Sequence, residues 1–435
     1  MLKKVRIQGY KSLQNLEVDL KPLSVLFGPN AAGKSNFLDA LQLLSRIATN
    51  RTLSEAFAPP YRGKPLESFT FGAGGLRGLL DKPSETFMIE VDVELSPRVV
   101  ETVNQQISEM RRPTKNDETN GRADNTGART IHERNLRYRI EIEILPRSGI
   151  LRVADEYLAA LNARGEPKGT RSPFLEKMGD RLSLRMEGQA HPTYHETNLD
   201  HSILSLPLYP PHYPHMVAMR QELASWFFFY FEPRERMRVP NPVKEVRHIG
   251  LMGEELAGFL NTLKVLDEPQ FRAVEKSIRM IIPTVTGIDV GVNDLGEVEF
   301  RLLEGNIPIP ARVLSEGTLR ILGLLALGGV KDAPTLIGFE EPENGIQPRR
   351  IRAIAEFLKT RTWNDDTQLI VTTHSPTLLD ELPPDSLYAC RKTATGTEIE
   401  SSLPLWQSQD IDAALNHEEQ PLSISERILR GDFDA

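Results

Sequence analysis

Two short stretches of the chain hold residue types suited to a polyanion and its metal. Gly28–Ser35 reads GPNAAGKS and fits G-x-x-x-x-G-K-[ST] without departure. Glycines let the backbone wrap around phosphates, and backbone N–H groups at a helix N-terminus supply partial positive charge. Lys34 is placed to reach the β- and γ-phosphates, and Ser35 offers a hydroxyl to Mg²⁺. The second stretch, Thr335–Ile346, reads TLIGFEEPENGI. Its apolar run ends in Glu340 and Glu341, with Glu343 close behind. Carboxylates this close repel one another and resist burial, so a cation must make the arrangement worthwhile. Mg²⁺–ATP held by the first stretch supplies it.

An apolar strand ending in acids is the Walker B pattern. Glu340 is expected to hold Mg²⁺ through water, together with Ser35, and is one methylene longer than the Asp usual at this place. Glu341 is expected to orient and polarise the attacking water. The expected nucleotide contacts are Gly28, Asn30, Gly33, Lys34, Ser35 and Asn36. Each stretch has a plainer reading, a glycine-rich turn or an acidic turn after a core strand. The apolar SVLF before the loop and the amphipathic helix after it decide for the phosphate cradle. The cradle in turn decides for the glutamates.

Two further pieces follow in the same region. Leu314–Thr318, LSEGT, precedes an amphipathic stretch, and Ser315 is a good N-cap for a helix whose N-terminus suits an anion. His374 follows QLIVTT, a buried-type strand, and precedes Ser375–Pro376. A capped helix and a histidine at a strand end are ordinary structures, and neither motif decides anything alone.

The elements that must position these residues are partly legible. Apolar alternation predicts strands at Lys3–Ile7, Leu16–Leu20, Ser24–Phe27, Phe87–Leu95 and Leu136–Leu145. Phe37, Leu38, Leu41, Leu44 and Ala48 share one face of a helix from about Ser35 to Ile47. Pro113–Arg129 is polar and rich in Gly, Asn and Asp, the composition of a mobile loop. Residues 160–215 read as irregular, with Pro, His and Tyr prominent. Glu254–Leu266 has helical spacing, and Val298–Leu303 with Asn306–Ala311 resembles a hairpin. From Leu314 to Leu382 helix and strand alternate as in a parallel sheet. The expected division is an α/β nucleotide-binding head over 1–95 and 246–435, interrupted by an inserted α+β lobe over 96–245.

Composition narrows the function classes. The chain has 435 residues, a formal net charge of −8 and a single cysteine, Cys390. The acidic balance argues against a protein that coats nucleic acid, so any DNA contact has to be a local patch. One cysteine excludes an internal disulfide framework and fits a reducing cytosol. The longest apolar runs, Leu223–Phe231 and Ile321–Val330, are shorter than the roughly 20 residues a bilayer span needs. The expectation is a cytoplasmic protein with no membrane segment.

The order of the motifs carries a resemblance. Cradle, LSEGT, EEPENG and TTHSP run in sequence, and the chain resembles the ABC-type ATPase heads of the SMC/RecF branch, especially compact ATPases related to the OLD-family head. Ile7–Leu13, IQGYKSL, is similar to the opening strand of that branch, and Gln347 stands where the branch often has His. The likeness covers both ends of the chain and leaves out 96–245. It implies a mixed-sheet P-loop head that pairs with a second copy and sandwiches ATP and Mg²⁺. Ser315, Glu316 and Gly317 of one copy would contact the nucleotide of the other. His374 would sense the γ-phosphate within its own copy, and Glu343–Ile346 would form the turn that crosses to the partner. The branch's Q-loop glutamine has no match in Phe69–Asp81, FTFGAGGLRGLLD. Sustained heptads for a long coiled coil are missing, and the stretch after His374 is too short for a Toprim nuclease domain.

Three functions fit these residues. In the first, the resemblance implies a switch ATPase that controls a separately encoded effector, a nuclease or toxin, in anti-phage defence. The second is a RecF-like DNA-binding ATPase of repair or genome maintenance. Its basic stretches would be Arg98–Arg139 (with Arg111, Arg112, Lys115, Arg122, Arg129, Arg134, Arg137 and Arg139) and Arg234–Arg247 (with Arg236, Arg238 and Lys244). The third is a scaffold held together by ATP with little turnover. His191, His195, His201, His212 and His215 lack a compact metal-ligand pattern.

Overall fold

Alternation along the first strand sets the first sheet. In Leu2–Tyr10 the side chains of Leu2, Val5, Ile7 and Tyr10 are fully buried, while the residues between them face outward. A computed structural model describes residues 1–110, 130–169, 171–189, 191–327, 334–364, 367–401 and 423–430. The chain forms two compact units of interleaved segments. The first comprises Met1–Leu20, Asn36–Trp226 and Lys392–Glu398, and the second Lys21–Ser35, Phe227–Arg391 and Ile399–Ala435.

The first unit is built on an eight-stranded antiparallel sheet. Its order is Leu13–Asp19, Leu2–Tyr10, Glu85–Glu94, Asn135–Leu145, Ile150–Ala160, Leu175–Met178, Arg181–Leu184 and Thr193–Glu196. The strands expected at Lys3–Ile7, Leu16–Leu20, Phe87–Leu95 and Leu136–Leu145 lie here with ends shifted by a few residues. The stretch 160–215 differs from its irregular reading, because it contributes the last three strands of the sheet. Each of these has four residues, too few to establish an alternation in the sequence. The loop expected at Pro113–Arg129 lies outside the described residues.

The sheet's polar face is tied by ion pairs across strands. Arg137 pairs with Asp92 at 2.6 Å, Arg139 with Asp155 at 2.7 Å, Arg152 with Glu143 at 2.6 Å, and Arg6 with Glu90. On the buried side, Glu156 accepts hydrogen bonds from the backbone N–H of Ile203 at 2.6 Å and Leu204 at 3.1 Å. It also accepts one from the Tyr138 hydroxyl at 2.8 Å. Burial dominates these bonds and pushes the Glu156 carboxyl up to about 7.

The second unit holds the residues singled out for chemistry. Its sheet runs Trp226–Phe229, Leu336–Glu340, Gln368–Thr373, Leu23–Phe27, Leu387–Thr393 and Gly396–Ser401. Leu336–Glu340, Gln368–Thr373, Leu23–Phe27 and Leu387–Thr393 pair in parallel. Leu336–Glu340 and Leu23–Phe27 therefore end at the same edge on either side of Gln368–Thr373, where doubly wound sheets bind ligands. Helices Glu316–Ala326 and Ile351–Asn364 alternate with these strands, as the sequence predicts. Glu297–Glu304 and Ile307–Pro310 form the expected hairpin, and Leu256–Leu266 is the expected helix less its first two residues. Among the described residues no helix is long and apolar enough to cross a membrane.

Glu156 gives a pH test of the first unit. Its carboxyl rises from 4.5 to about 7 on folding, so the folded state binds more protons between these values. Its contribution to stability is fully present below pH 4.5 and is lost as pH rises through about 7. Thermal melts from about pH 5 to about pH 8 should show wild type losing stability relative to Glu156→Gln as pH rises. A difference that stays constant over this range would contradict the assignment.

Candidate functional site

The cradle Gly28–Ser35 joins strand Leu23–Phe27 to helix Lys34–Thr49. Gly28 has φ 143°, and a Cβ there would lie 2.2 Å from the Cys390 carbonyl oxygen, so the neighbouring strand admits only glycine at this turn. Gly33 has φ 100°. Lys34 is 5% exposed and folds back over the loop, donating to the Gly28 carbonyl at 2.8 Å and the Pro29 carbonyl at 2.9 Å. An ammonium has three donors, so one is left for a phosphate oxygen. Burial lowers the Lys34 ammonium from its ordinary range, opposed by Cys390, Glu341 and Glu340.

The three glutamates separate by partner. The Ser35 hydroxyl donates to the Glu340 carboxylate, joining the start of the helix to the end of strand Leu336–Glu340. These two hard oxygen donors suit Mg²⁺. Thr372, the parallel-sheet partner of Glu340, has a buried hydroxyl with no hydrogen bond among the described residues, a further oxygen at this spot. Glu341 adopts φ 49°, a left-handed conformation rare for a residue with a Cβ. Its N–H donates to the Thr372 carbonyl at 2.9 Å, and its carboxylate lies 3.6 Å from Nε2 of His374. Strain of this kind costs roughly 1–3 kcal/mol and persists where surrounding structure enforces it.

Glu343 turns inward. It is 8% exposed, accepts from the Thr373 hydroxyl at 2.5 Å, and accepts from the His374 N–H at 3.3 Å. Burial raises its carboxyl above the ordinary carboxylate range. Its second oxygen has no partner among the described residues. The turn expected to cross to a partner is thus divided, with Glu343 and Ile346 buried and Asn344 and Gly345 exposed. Sequence reasoning gave Glu343 no part in holding His374. The available signal was Thr373, a donor one residue before the histidine.

Burial and then the Lys34 charge lower the His374 imidazole, outweighing Glu341 and Glu340, so it is neutral at neutral pH. Lys34, Ser35, Glu340, Glu341 and His374 therefore meet at one sheet edge. Gly28, Asn30 and His374 line a cavity of about 280 Å³ at this edge. The Asn36 amide instead donates to the Ser12 hydroxyl at 2.8 Å.

Ser315 caps helix Glu316–Ala326 as expected, accepting from the Thr318 N–H at 3.2 Å. A Cβ on Gly317 would lie 2.4 Å from the Gly345 carbonyl oxygen, so the helix start rests directly on the acidic turn. Glu316 pairs with Arg234 at 2.5 Å, and that cation holds its carboxyl below the ordinary range. No hydrogen bond among the described residues joins Ser315, Glu316 or Gly317 to the cradle. Of the five histidines weighed above, His215 is buried. Its Nε2 accepts from the Glu133 N–H at 3.1 Å, so Nδ1 donates to Glu187 at 2.7 Å. Among the described residues no cluster of three or more His, Cys, Asp or Glu could hold a metal ion.

Known proteins match this architecture. A family model described as "AAA domain, putative AbiEii toxin, Type IV TA system" matches residues 23–380. The DNA replication and repair protein RecF of Lactococcus lactis subsp. cremoris (strain MG1363) is 25% identical over 99 residues, 22% of this chain and 25% of that protein. RecF of Lactococcus lactis subsp. lactis (strain IL1403) is 28% identical over 98 residues, with the same shares. The chain thus spans about a quarter of the length of these curated relatives. The crystal structure of an Smc head bound to the C-terminal winged-helix domain of ScpA superposes with a TM-score of 0.52. It is 12% identical, covering 92% of this chain and 97% of that one. The fold is that of an ABC-type P-loop ATPase head. The chain belongs to the AAA-domain family that the model describes, an ABC-type ATPase of the SMC/RecF-like kind.

Proposed function

We propose that this protein is an ATP-binding and ATP-hydrolysing switch whose heads pair and which controls a separately encoded effector, a nuclease or toxin, in anti-phage defence. The observation that carries the ATPase reading is the convergence of Lys34, Ser35, Glu340, Glu341 and His374 at one sheet edge. The family description, with its toxin–antitoxin wording, supports the effector reading.

Lys34 and the loop N–H groups bind the phosphates, while Ser35 and Glu340 hold Mg²⁺. Held by Ser35 and Glu340, Mg²⁺ would supply neutralisation of charge on the phosphate oxygens. Glu341, with its carboxylate beside His374, accepts a proton from water. The neutral imidazole of His374 has one N–H to donate, which suits a phosphate oxygen. Glu343 holds Thr373 and the His374 backbone in register with the acidic turn. The Gly317–Gly345 contact links the helix start that would face a partner's nucleotide to the same turn. Pairing of heads is supported by the Smc likeness in fold.

The RecF likeness favours a DNA-binding alternative. Against it, several described cations of both basic stretches are engaged, although Arg236 is exposed. Arg137 and Arg139 pair with acids, Lys244 pairs with Glu255, and Arg238 donates to the Leu314 carbonyl at 2.8 Å. Arg111, Arg112, Lys115, Arg122 and Arg129 lie outside the described residues.

Steady-state hydrolysis and binding of a fluorescent ATP analogue test the assignment. Glu341→Gln should lower kcat by about 10²-fold or more while retaining the nucleotide, and Lys34→Ala should lose binding. Wild-type turnover in Glu341→Gln would remove the general base. Glu343→Ala should lower kcat about tenfold, because it frees His374 while Lys34 and Ser35 stay in place. Equal kcat in that variant would make Glu343 merely structural. Duplex DNA titrated at about 50 mM and about 200 mM salt should show no steep loss of affinity with salt. A slope of several phosphate contacts would shift the reading to the RecF-like one.

A further inference from the structure

The cavity beside the cradle has a wall that the site residues do not provide. Phe27, Gly28, Pro29 and Asn30 line one side, and Thr373, His374 and Leu379 another. The remaining lining residue is Ile428, from helix Ile424–Arg430 near the end of the chain. This helix has its own start signal. The Ser423 hydroxyl accepts from the Glu426 N–H at 3.3 Å, and the Glu426 carboxylate accepts from the Ser423 N–H at 2.8 Å, a capping box. Ile424 is 5% exposed within the hydrophobic core of the second unit, and Ile428 packs against that core.

The same helix is fastened to the element that follows His374. Ser375 caps helix Pro376–Asp380, its hydroxyl accepting from the Leu378 N–H at 3.3 Å, and its own N–H donates to the Thr373 hydroxyl at 2.9 Å. At the other end of that short helix, Asp380 accepts from the Ser425 N–H at 3.0 Å. A continuous path of hydrogen bonds and apolar contact thus runs from Glu343 through Thr373 and Ser375 to Asp380 and the terminal helix.

We infer that helix Ile424–Arg430 is a nucleotide-responsive strap: it walls the cavity beside the cradle, which His374 also lines, and clamps the helix that follows His374, so nucleotide occupancy and docking of the strap are coupled. The inference rests on the nucleotide-binding reading above. Coupling between two sites is reciprocal, so disturbing the strap changes nucleotide affinity by the factor with which nucleotide changes strap docking. An effector that displaced the strap would read the state of the cradle through it.

The chain's chemistry offers a clean probe. Cys390 is its only cysteine and is buried, which shields it from thiol reagents and pushes its thiol up to about 12. A cysteine introduced by Arg430→Cys, at an exposed position of the strap, can carry an environment-sensitive dye alone. The full chain so labelled is titrated with ATP and Mg²⁺, and affinity for the fluorescent analogue MANT-ATP is measured on unlabelled protein. The dye signal is expected to be half-maximal at the midpoint of nucleotide binding. Ile428→Asp is expected to weaken MANT-ATP binding by about fivefold or more. Asp380→Ala, which removes the clamp from outside the cavity, should act in the same direction and keeps the test decisive if Ile428→Asp does not fold. A silent dye, or wild-type affinity in the folded variants, overturns the strap. Failure of the unaltered protein to bind MANT-ATP overturns the nucleotide reading and the strap together.

Discussion

The constraint on which this structure depends is the crowding of negative charge at the end of one strand. Glu340, Glu341 and Glu343 leave the same β-strand within four residues, and water cannot solvate all of them. The fold gives each carboxylate a different partner. Glu340 turns to Ser35, Glu341 turns toward His374 through a left-handed backbone, and Glu343 turns into the protein against Thr373. Two cations stand nearby: Lys34, whose loss of solvation is opposed by Glu341 and Glu340, and Arg320, whose loss of solvation is opposed by Glu316, Glu341 and Glu343. The parallel sheet makes the solution possible, because it brings the ends of Leu23–Phe27, Leu336–Glu340 and Gln368–Thr373 to one edge.

Much of this was legible in the sequence, and the reason is locality. The cradle is a run of consecutive residues whose backbone is fixed by its glycines. The strand Leu336–Glu340 announces itself by an apolar run and an abrupt charge. Ser315 as an N-cap and the hairpin at Glu297–Pro310 follow from neighbours in the chain. What escaped notice depends on distant partners. Nothing within a few residues of Glu343 shows that its oxygen will meet a threonine hydroxyl 30 positions away. The four-residue strands after 170 are strands only because the sheet before them offers an edge. The hydrogen bond from the Asn36 amide to the Ser12 hydroxyl likewise joins residues far apart in the chain.

Charge has two different uses in the two units. On the antiparallel sheet of the first unit, arginines and carboxylates alternate and cancel in pairs such as Arg137–Asp92 and Arg152–Glu143. These pairs are partly buried, and they leave little uncompensated positive charge on that face. At the sheet edge of the second unit the charges are few and unlike. An ammonium, a serine hydroxyl, two carboxylates and an imidazole share a small space without neutralising one another completely. Self-satisfied charge builds a surface, whereas charge left short of a partner builds a site.

The approach of Gly317 to Gly345 bears on how such a head evolves. With 2.4 Å between a would-be Cβ and a carbonyl oxygen, the start of one helix and the crown of the acidic turn behave as a single machined joint. Neither surface can drift by substitution without spoiling the other. Recognition of a new protein must therefore be acquired elsewhere on the chain, on surfaces free to vary while this joint stays fixed.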